Sequence, residues 1–131
     1  MDSALETRMN RLLHATNEEG GFPTSLVCTD QGLLVASAGE VEPCEVLAVL
    51  AAMFDDVVAR ARRDIGLEAV DEVTLRDQRR GAYVLRMLHP LVDARLFLVV
   101  HVPHSLPWRR STNRLCSRLN HELQGLSDAR V

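Results

Sequence analysis

The sequence predicts an α/β (α+β) sandwich, a five-stranded and mainly antiparallel sheet with helices on both faces, in the order α-β-β-α-β-β-β-α. Three observations predict it. Three stretches place apolar residues at helical spacing, and five shorter runs read as strands. The strands come as a pair and a triplet divided by the longest helix, so they do not alternate with helices one by one. At 131 residues, with no repeat, low-complexity tract or linker-like stretch, the chain is expected to be one domain, 1–131.

The elements follow in order. From Ser3 to Thr16, Leu5, Met9, Leu12, Leu13 and Thr16 share one helical side, with Glu6, Arg8, Asn10 and Arg11 on the other. Ser3 and Glu6 fit a capping box, and Asn17-Glu18-Glu19-Gly20-Gly21 reads as the stop. Thr24 to Thr29 and Leu33 to Ala38 form a hairpin about Asp30-Gln31-Gly32, with glycine where positive φ is needed. A long helix runs from Glu42 to Ile65, with Pro43 in its first turn and Gly66 just past its end. Glu68 to Arg76 reads as a strand with Val73 and Leu75 on one face, and Glu72, Thr74 and Arg76 on the other. After the polar turn Asp77 to Gly81, Ala82 to His89 is a strand with Arg86 in its middle. Arg95 to Val102 is apolar on both faces, which suits a central strand covered from both sides. The last helix, Pro107 to Leu123, turns Trp108, Thr112, Leu115, Cys116, Leu119 and Leu123 inward, with Arg110, Arg114 and Arg118 opposite and Arg109 alongside.

The second helix carries the functional signal. Val46 to Phe54 is apolar without interruption for nine residues, whereas a helix on a sheet needs one apolar face. By helical angle, Leu47, Leu50, Phe54, Val57, Val58 and Ile65 are expected to face the sheet. Ala48, Val49, Ala52 and Met53, bracketed by Glu45 and Asp56, form a second stripe whose small residues suit close approach of another helix. The first and last helices belong to the opposite face of the sheet, so a second copy of the chain is the simplest cover. Val73 and Leu75, on an expected edge strand, join this candidate dimer interface.

Composition excludes several classes. All fifteen basic residues are arginine and none is lysine, so Schiff-base, lysine-base and Walker-lysine chemistry are closed. The same usage points to a GC-rich bacterial genome, because arginine codons are GC-rich. A net charge of -3 argues against nucleic-acid binding. The start of the chain, Met1 to Glu6, carries acids where a signal peptide needs a basic start. The longest unbroken apolar run, Val46 to Phe54, is about half of what a bilayer requires, so a cytoplasmic protein without membrane insertion is expected. Cys28, Cys44 and Cys116, odd in number and far apart, read as reduced buried thiols.

The stretch Ser25-Leu26-Val27-Cys28-Thr29-Asp30-Gln31-Gly32-Leu33-Leu34-Val35-Ala36-Ser37 resembles the Roadblock/dynein light chain domain family in its first strand, D-G-type turn and second strand ending in A-S. Glu45-x-Leu47-Ala48-x-x-Ala51-Ala52 is similar to that family's alanine-rich helix, and the element order matches from Leu5 to Leu123. Gln31, inserted in the turn, and the Pro107-Trp108-Arg109-Arg110 entry depart from the pattern. The resemblance implies a profilin-like Roadblock sandwich, no cofactor, and no enzyme activity of the chain's own. It implies a homodimer in which long helices pack together and third strands pair, joining two sheets into one of ten strands. It implies further a bacterial regulator or scaffold of a small Ras-like GTPase, one group of the family being GTPase-activating. Arg60, Arg63, Arg79 and Arg80, placed around the expected seam, are the candidate contacts to such a partner.

Other chemistry has weaker support in the residues. His101-x-x-His104 lacks defined third and fourth metal ligands, with Cys28 and His89 the nearest candidates. No G-x-S-x-G or G-x-G-x-x-G motif stands at a strand–helix junction. The alternative readings are a PAS-like or profilin-like small-molecule sensor and a structural adaptor without a GTPase. A polar cavity between sheet and helix would favour the sensor.

Overall fold

The structure, a computed structural model, describes residues 3–129, except for the side chains at 41, 42 and 126–129. Met1 and Asp2 of the acidic start lie outside the described residues. The elements are α1 (Ser3–Gly20), β1 (Thr24–Thr29), β2 (Leu34–Ala38), α2 (Val41–Ile65), β3 (Glu72–Asp77), β4 (Gly81–Met87), β5 (Leu96–Val102) and α3 (Arg109–Ala129). Their order is the one the sequence predicts. α1 continues through Glu18 and Glu19 to Gly20, and Gly21 takes a left-handed φ of 71° beyond it. Ser3 is already helical and its carbonyl accepts from Thr7 Oγ1 at 2.9 Å, so the capping position falls outside the described residues. β3 starts at Glu72 and not at Glu68, because the Arg62 guanidinium holds the Glu68 carbonyl at 2.7 Å beside the end of α2.

All strand pairings are antiparallel and the order is β2-β1-β5-β4-β3. The chain enters at β1 and β2, crosses by α2 to the far edge, and returns through β4 to fill the centre with β5. Leu96 to Val100 are all buried, which explains the doubly apolar run. Leu98 and Val100 meet α1 and α3 through Leu5, Met9, Leu13, Leu115 and Leu119, and Phe97 and Val99 meet α2 on the opposite side. Gly32 in the β1–β2 turn has φ 80°, as that turn requires.

The two sheet edges differ. On β2, the Ser37 amide donates to Asn10 Oδ1 at 3.0 Å and the Ala38 carbonyl accepts from Asn17 Nδ2 at 3.2 Å. Side chains of α1 thus occupy hydrogen-bonding groups that another strand would use. On β3, all residues from Thr74 to Asp77 are exposed, and no element among the described residues lies beyond the strand.

α2 is rotated relative to the expectation. Cys44, Ala48 and Ala51 are its innermost residues and pack on Leu26, Leu85, Phe97 and Val99. Ala48, expected at the dimer seam, is 0% exposed against the chain's own sheet. Of the residues expected on the sheet side, Leu47, Phe54 and Val58 are half-buried flanks, whereas Leu50, Val57 and Ile65 are exposed. The reason is steric. The sheet supplies the bulk here, so small side chains on the helix give the shortest approach and the best packing.

Adding bulk to that contact should therefore be costly. Ala48→Leu is expected to lower unfolding free energy by about 1–3 kcal/mol, while the outward Val49→Leu changes it by no more than about 0.5 kcal/mol; urea denaturation of both variants checks the rotation of α2. A Cβ on Gly81, whose φ is 94°, would run into the Val102 carbonyl oxygen. Gly81→Ala is expected to cost at least about 2 kcal/mol in the same assay.

Candidate functional site

α2 rests mainly on β1, β2 and β5, so the β3–β4 side of the same sheet face is left without a helix above it. The strands alternate such that Leu85 and Tyr83 of β4 and their partners Val73 and Leu75 of β3 all point to this face. An open groove of about 880 Å³ follows, walled by Leu47, Leu50 and Phe54 of α2 and floored by Tyr83, Leu85 and Val99, with Leu75 at its rim. It is a trough open to solvent between helix and strands, with Glu40, Glu45, Arg80 and His101 among its lining residues.

Above the groove, α2 presents Val46, Val49, Leu50, Met53 and Val57, spaced three and four residues apart on the outward face. Val49, Met53 and Val57 are 54%, 62% and 58% exposed. Groove and ridge are continuous through Leu50, so the chain carries one apolar surface reaching from the top of α2 to the β3 edge. A soluble monomer rarely leaves such a surface to water.

The structure divides the residues singled out from sequence. Val49 and Met53 lie on the outward ridge, and exposed Glu45 and Asp56 stand on α2 beside it. Ala52 is half-buried beside the β1–β2 turn, near Gly32, and Ala48 belongs to the core. Val73 is half-buried against the α2-side cluster, and Leu75 is exposed on the edge strand. Sequence reasoning missed Val46, Leu50 and Val57. The signal for them was the small-residue series Cys44, Ala48 and Ala51, at i, i+4 and i+7, which marks the close-packed side of the helix and places these three opposite.

The four candidate arginines surround this surface without converging. Arg79 and Arg80 sit at the exposed β3–β4 turn, where the Asp77 carboxylate accepts from both of their backbone amides at 2.8 and 2.7 Å. Those bonds hold the Asp77 carboxyl below its ordinary range. Arg80 borders the groove, and its carbonyl bonds His101 Nε2 at 2.8 Å. Arg60 and Arg63 are exposed at the other end of α2, with Arg63 against Asp64 at 3.4 Å. At that end, Arg95 pairs with Asp55 and with Asp30 (3.5 Å), tying α2 to the tip of the β1–β2 hairpin.

His101 is stacked on Tyr83, centroids 4.5 Å apart, and His104 is exposed beyond the strand. Among the described residues no group of three or more His, Cys, Asp or Glu side chains is arranged to hold a metal ion. No described helix is long and apolar enough to cross a membrane. Cys28, Cys44 and Cys116 are free and buried; burial pushes the Cys28 thiol up to about 12 and raises the other two.

No family model matches the sequence, and no curated protein matches it. Solved structures do. The gliding protein mglB from Thermus thermophilus aligns with 95% of this chain and 95% of its own, at TM-score 0.79 and 17% identity. Myxococcus xanthus MglB aligns over 100% of this chain and 95% of its own, at TM-score 0.76 and 16% identity. A Roadblock/LC7 domain from Streptomyces avermitilis aligns over 89% of this chain and 95% of its own, at TM-score 0.66 and 11% identity. The chain has the fold of these Roadblock/LC7 and MglB structures, and the five-stranded antiparallel sandwich read from its sequence is theirs.

The thiols supply a test of the core. Because the thiolate is the reactive form, Cys28, Cys44 and Cys116 should resist an aromatic disulfide reagent at mildly alkaline pH in the native protein and all react in denaturant. Rapid labelling of any of them in native buffer would contradict this burial.

Proposed function

We propose that the chain is a non-enzymatic, homodimeric regulator or scaffold of a small Ras-like GTPase, working in the cytoplasm of a bacterium as one Roadblock-like unit. The observation that carries this reading is the continuous apolar surface formed by the α2 ridge and the uncovered β3–β4 face. A second copy related by a two-fold axis supplies a cover of matching shape, because each copy offers the other the same ridge and the same trough. Transfer of an exposed valine, leucine or methionine side chain out of water is worth about 1.5–3 kcal/mol when complete. Val46, Val49, Leu50, Met53 and Val57, counted on both copies, thus give the association a driving force of useful size.

The GTPase part of the reading rests on the likeness to the MglB and Roadblock/LC7 folds together with the family resemblance in the β1–β2 hairpin. Around an apolar seam the charged rim is left for a further partner: Arg79 and Arg80 at one end, Arg60 and Arg63 at the other. Guanidinium groups suit carboxylate- or phosphate-bearing surfaces. The effect on the GTPase is by placement of the partner's own catalytic groups or by tethering it.

Light scattering should give twice the chain mass at micromolar concentration, and a monomer would sink the dimer. Met53→Arg puts two buried charges at the seam, one per copy, and is expected to weaken dimerisation at least about 100-fold. Pull-down of a small GTPase encoded beside this chain, loaded with GTP or GDP, tests the partner. An accelerated GTP hydrolysis rate in that mixture would identify activation, and unchanged hydrolysis with retained binding would identify a scaffold.

A further inference from the structure

The α3 side of the sheet holds one charge that its core does not need. Along β4 the residues turned to that side are Ala82, Val84 and Arg86, with Leu88 next beyond the strand, and the three apolar ones join the main core. Arg86 stands among them with its side chain 17% exposed. A guanidinium so placed costs desolvation unless its N–H groups find acceptors. Few of them do. Nη1 donates to Asn113 Oδ1 at 2.6 Å and lies 4.0 Å from Glu72. Nε is buried with no hydrogen-bond partner, and Nη2 donates to no acceptor among the described residues. Glu72 is already committed, because its carboxylate accepts from Arg109 at 3.1 and 3.4 Å and from Thr74 Oγ1 at 3.1 Å.

These groups line an open cleft of about 530 Å³ between the β3–β4 ladder and α3. Asn113 and Asn120 belong to its α3 wall. Asn113 Oδ1 is taken by Arg86, and Asn120 Oδ1 by the His89 amide at 2.6 Å. Both carboxamides are therefore fixed in orientation and keep their NH2 groups as donors. With Arg86 the cleft offers donors from three side chains, a set that suits a carboxylate. Asp71 is the counterweight: it lines the same cleft, is exposed, and has no ion pair among the described residues. Arg86 and Arg109 balance Asp71 and Glu72 in formal charge. A phosphate dianion or a dicarboxylate would set two negative charges beside those acids. A ligand with one carboxylate and one ammonium matches both sets of groups and leaves the balance intact.

We propose that this cleft binds a free α-amino acid, its carboxylate on the Arg86 guanidinium and the asparagine NH2 groups and its ammonium on Asp71. Apart from Cys116 the lining is polar, so serine and glutamine suit it better than leucine or phenylalanine. The site is built within one chain, on the face of the sheet opposite α2, and rests on neither the dimer nor the GTPase reading. It gives the chain a means of responding to a small metabolite.

Nuclear magnetic resonance of the isotope-labelled chain tests this, because burial shelters the Arg86 Nε–H from water and preserves its signal, which Arg86→Gln identifies by removing it. Titration with serine or glutamine should shift that signal together with the Asn113 and Asn120 side-chain amides, saturating with a Kd of about 1 mM or lower. Calorimetry should show saturable binding lost in Arg86→Gln. Asp71→Asn, an exposed change that leaves the fold alone, should weaken serine binding about 3-fold and leave acetate binding no weaker. Acetate or inorganic phosphate shifting the Arg86 signal as strongly as serine and glutamine at equal concentration would overturn the amino-acid assignment. Absence of a saturable shift with any standard amino acid, or undiminished serine binding in Asp71→Asn, would overturn the proposal.

Discussion

Close seating of α2 on the sheet is the contact on which the rest of the arrangement depends. Cys44, Ala48 and Ala51 present little more than Cβ groups to Leu26, Phe97 and Val99, so the helix axis can approach the strands with no void between them. A helix has only one rotation that does this. Once those three residues point inward, Val46, Val49, Leu50, Met53 and Val57 must point outward, whatever their own preference for water. Leu47 and Phe54 become flanks, wedged between the helix and the floor of the groove.

The topology then decides how much of the sheet α2 can cover. The chain lays down β1 and β2 first, and α2 returns over these and β5, while β3 and β4 lie on the far side. One helix cannot span five strands. The opposite face is covered by two helices, α1 and α3, and the α2 face by one, so an apolar half-face remains. Polar side chains keep the β2 edge occupied, through Asn10 and Asn17, and nothing comparable among the described residues protects β3. Unpartnered apolar area and an unpartnered edge consequently occur on the same side of the molecule.

Electrostatics frames this surface without entering it. With no lysine in the chain, every cationic side chain is a guanidinium with fixed fork geometry. Some are structural: Arg95 ties the hairpin tip to α2, and Arg109 packs over Trp108 at 4.4 Å while pairing with Glu72. Others, including Arg60, Arg79 and Arg80, stand exposed at the two ends of the apolar surface. Exposed ion pairs such as Arg63–Asp64 contribute little in water.

Much of this was legible in the sequence, because it depends on local periodicity and on turn chemistry. The uninterrupted apolar run in β5 foretold a central strand, Gly32 and Gly66 marked a turn and a helix end, and Val46 to Phe54 announced a helix with more apolar surface than one sheet contact uses. Local signals also placed Val73 and Leu75 together on one face of a strand. They did not determine which apolar residues of α2 face inward. Angular spacing on a helix is a relative quantity, and bulk alone favoured the wrong side. The rotation was decided by the partner surface: Phe97, Leu26 and Val99 come from strands distant in sequence, and their bulk is complementary to alanine and not to leucine. Only the assembled sheet could decide that, just as it alone decided which edge α1 would close and which would stay open.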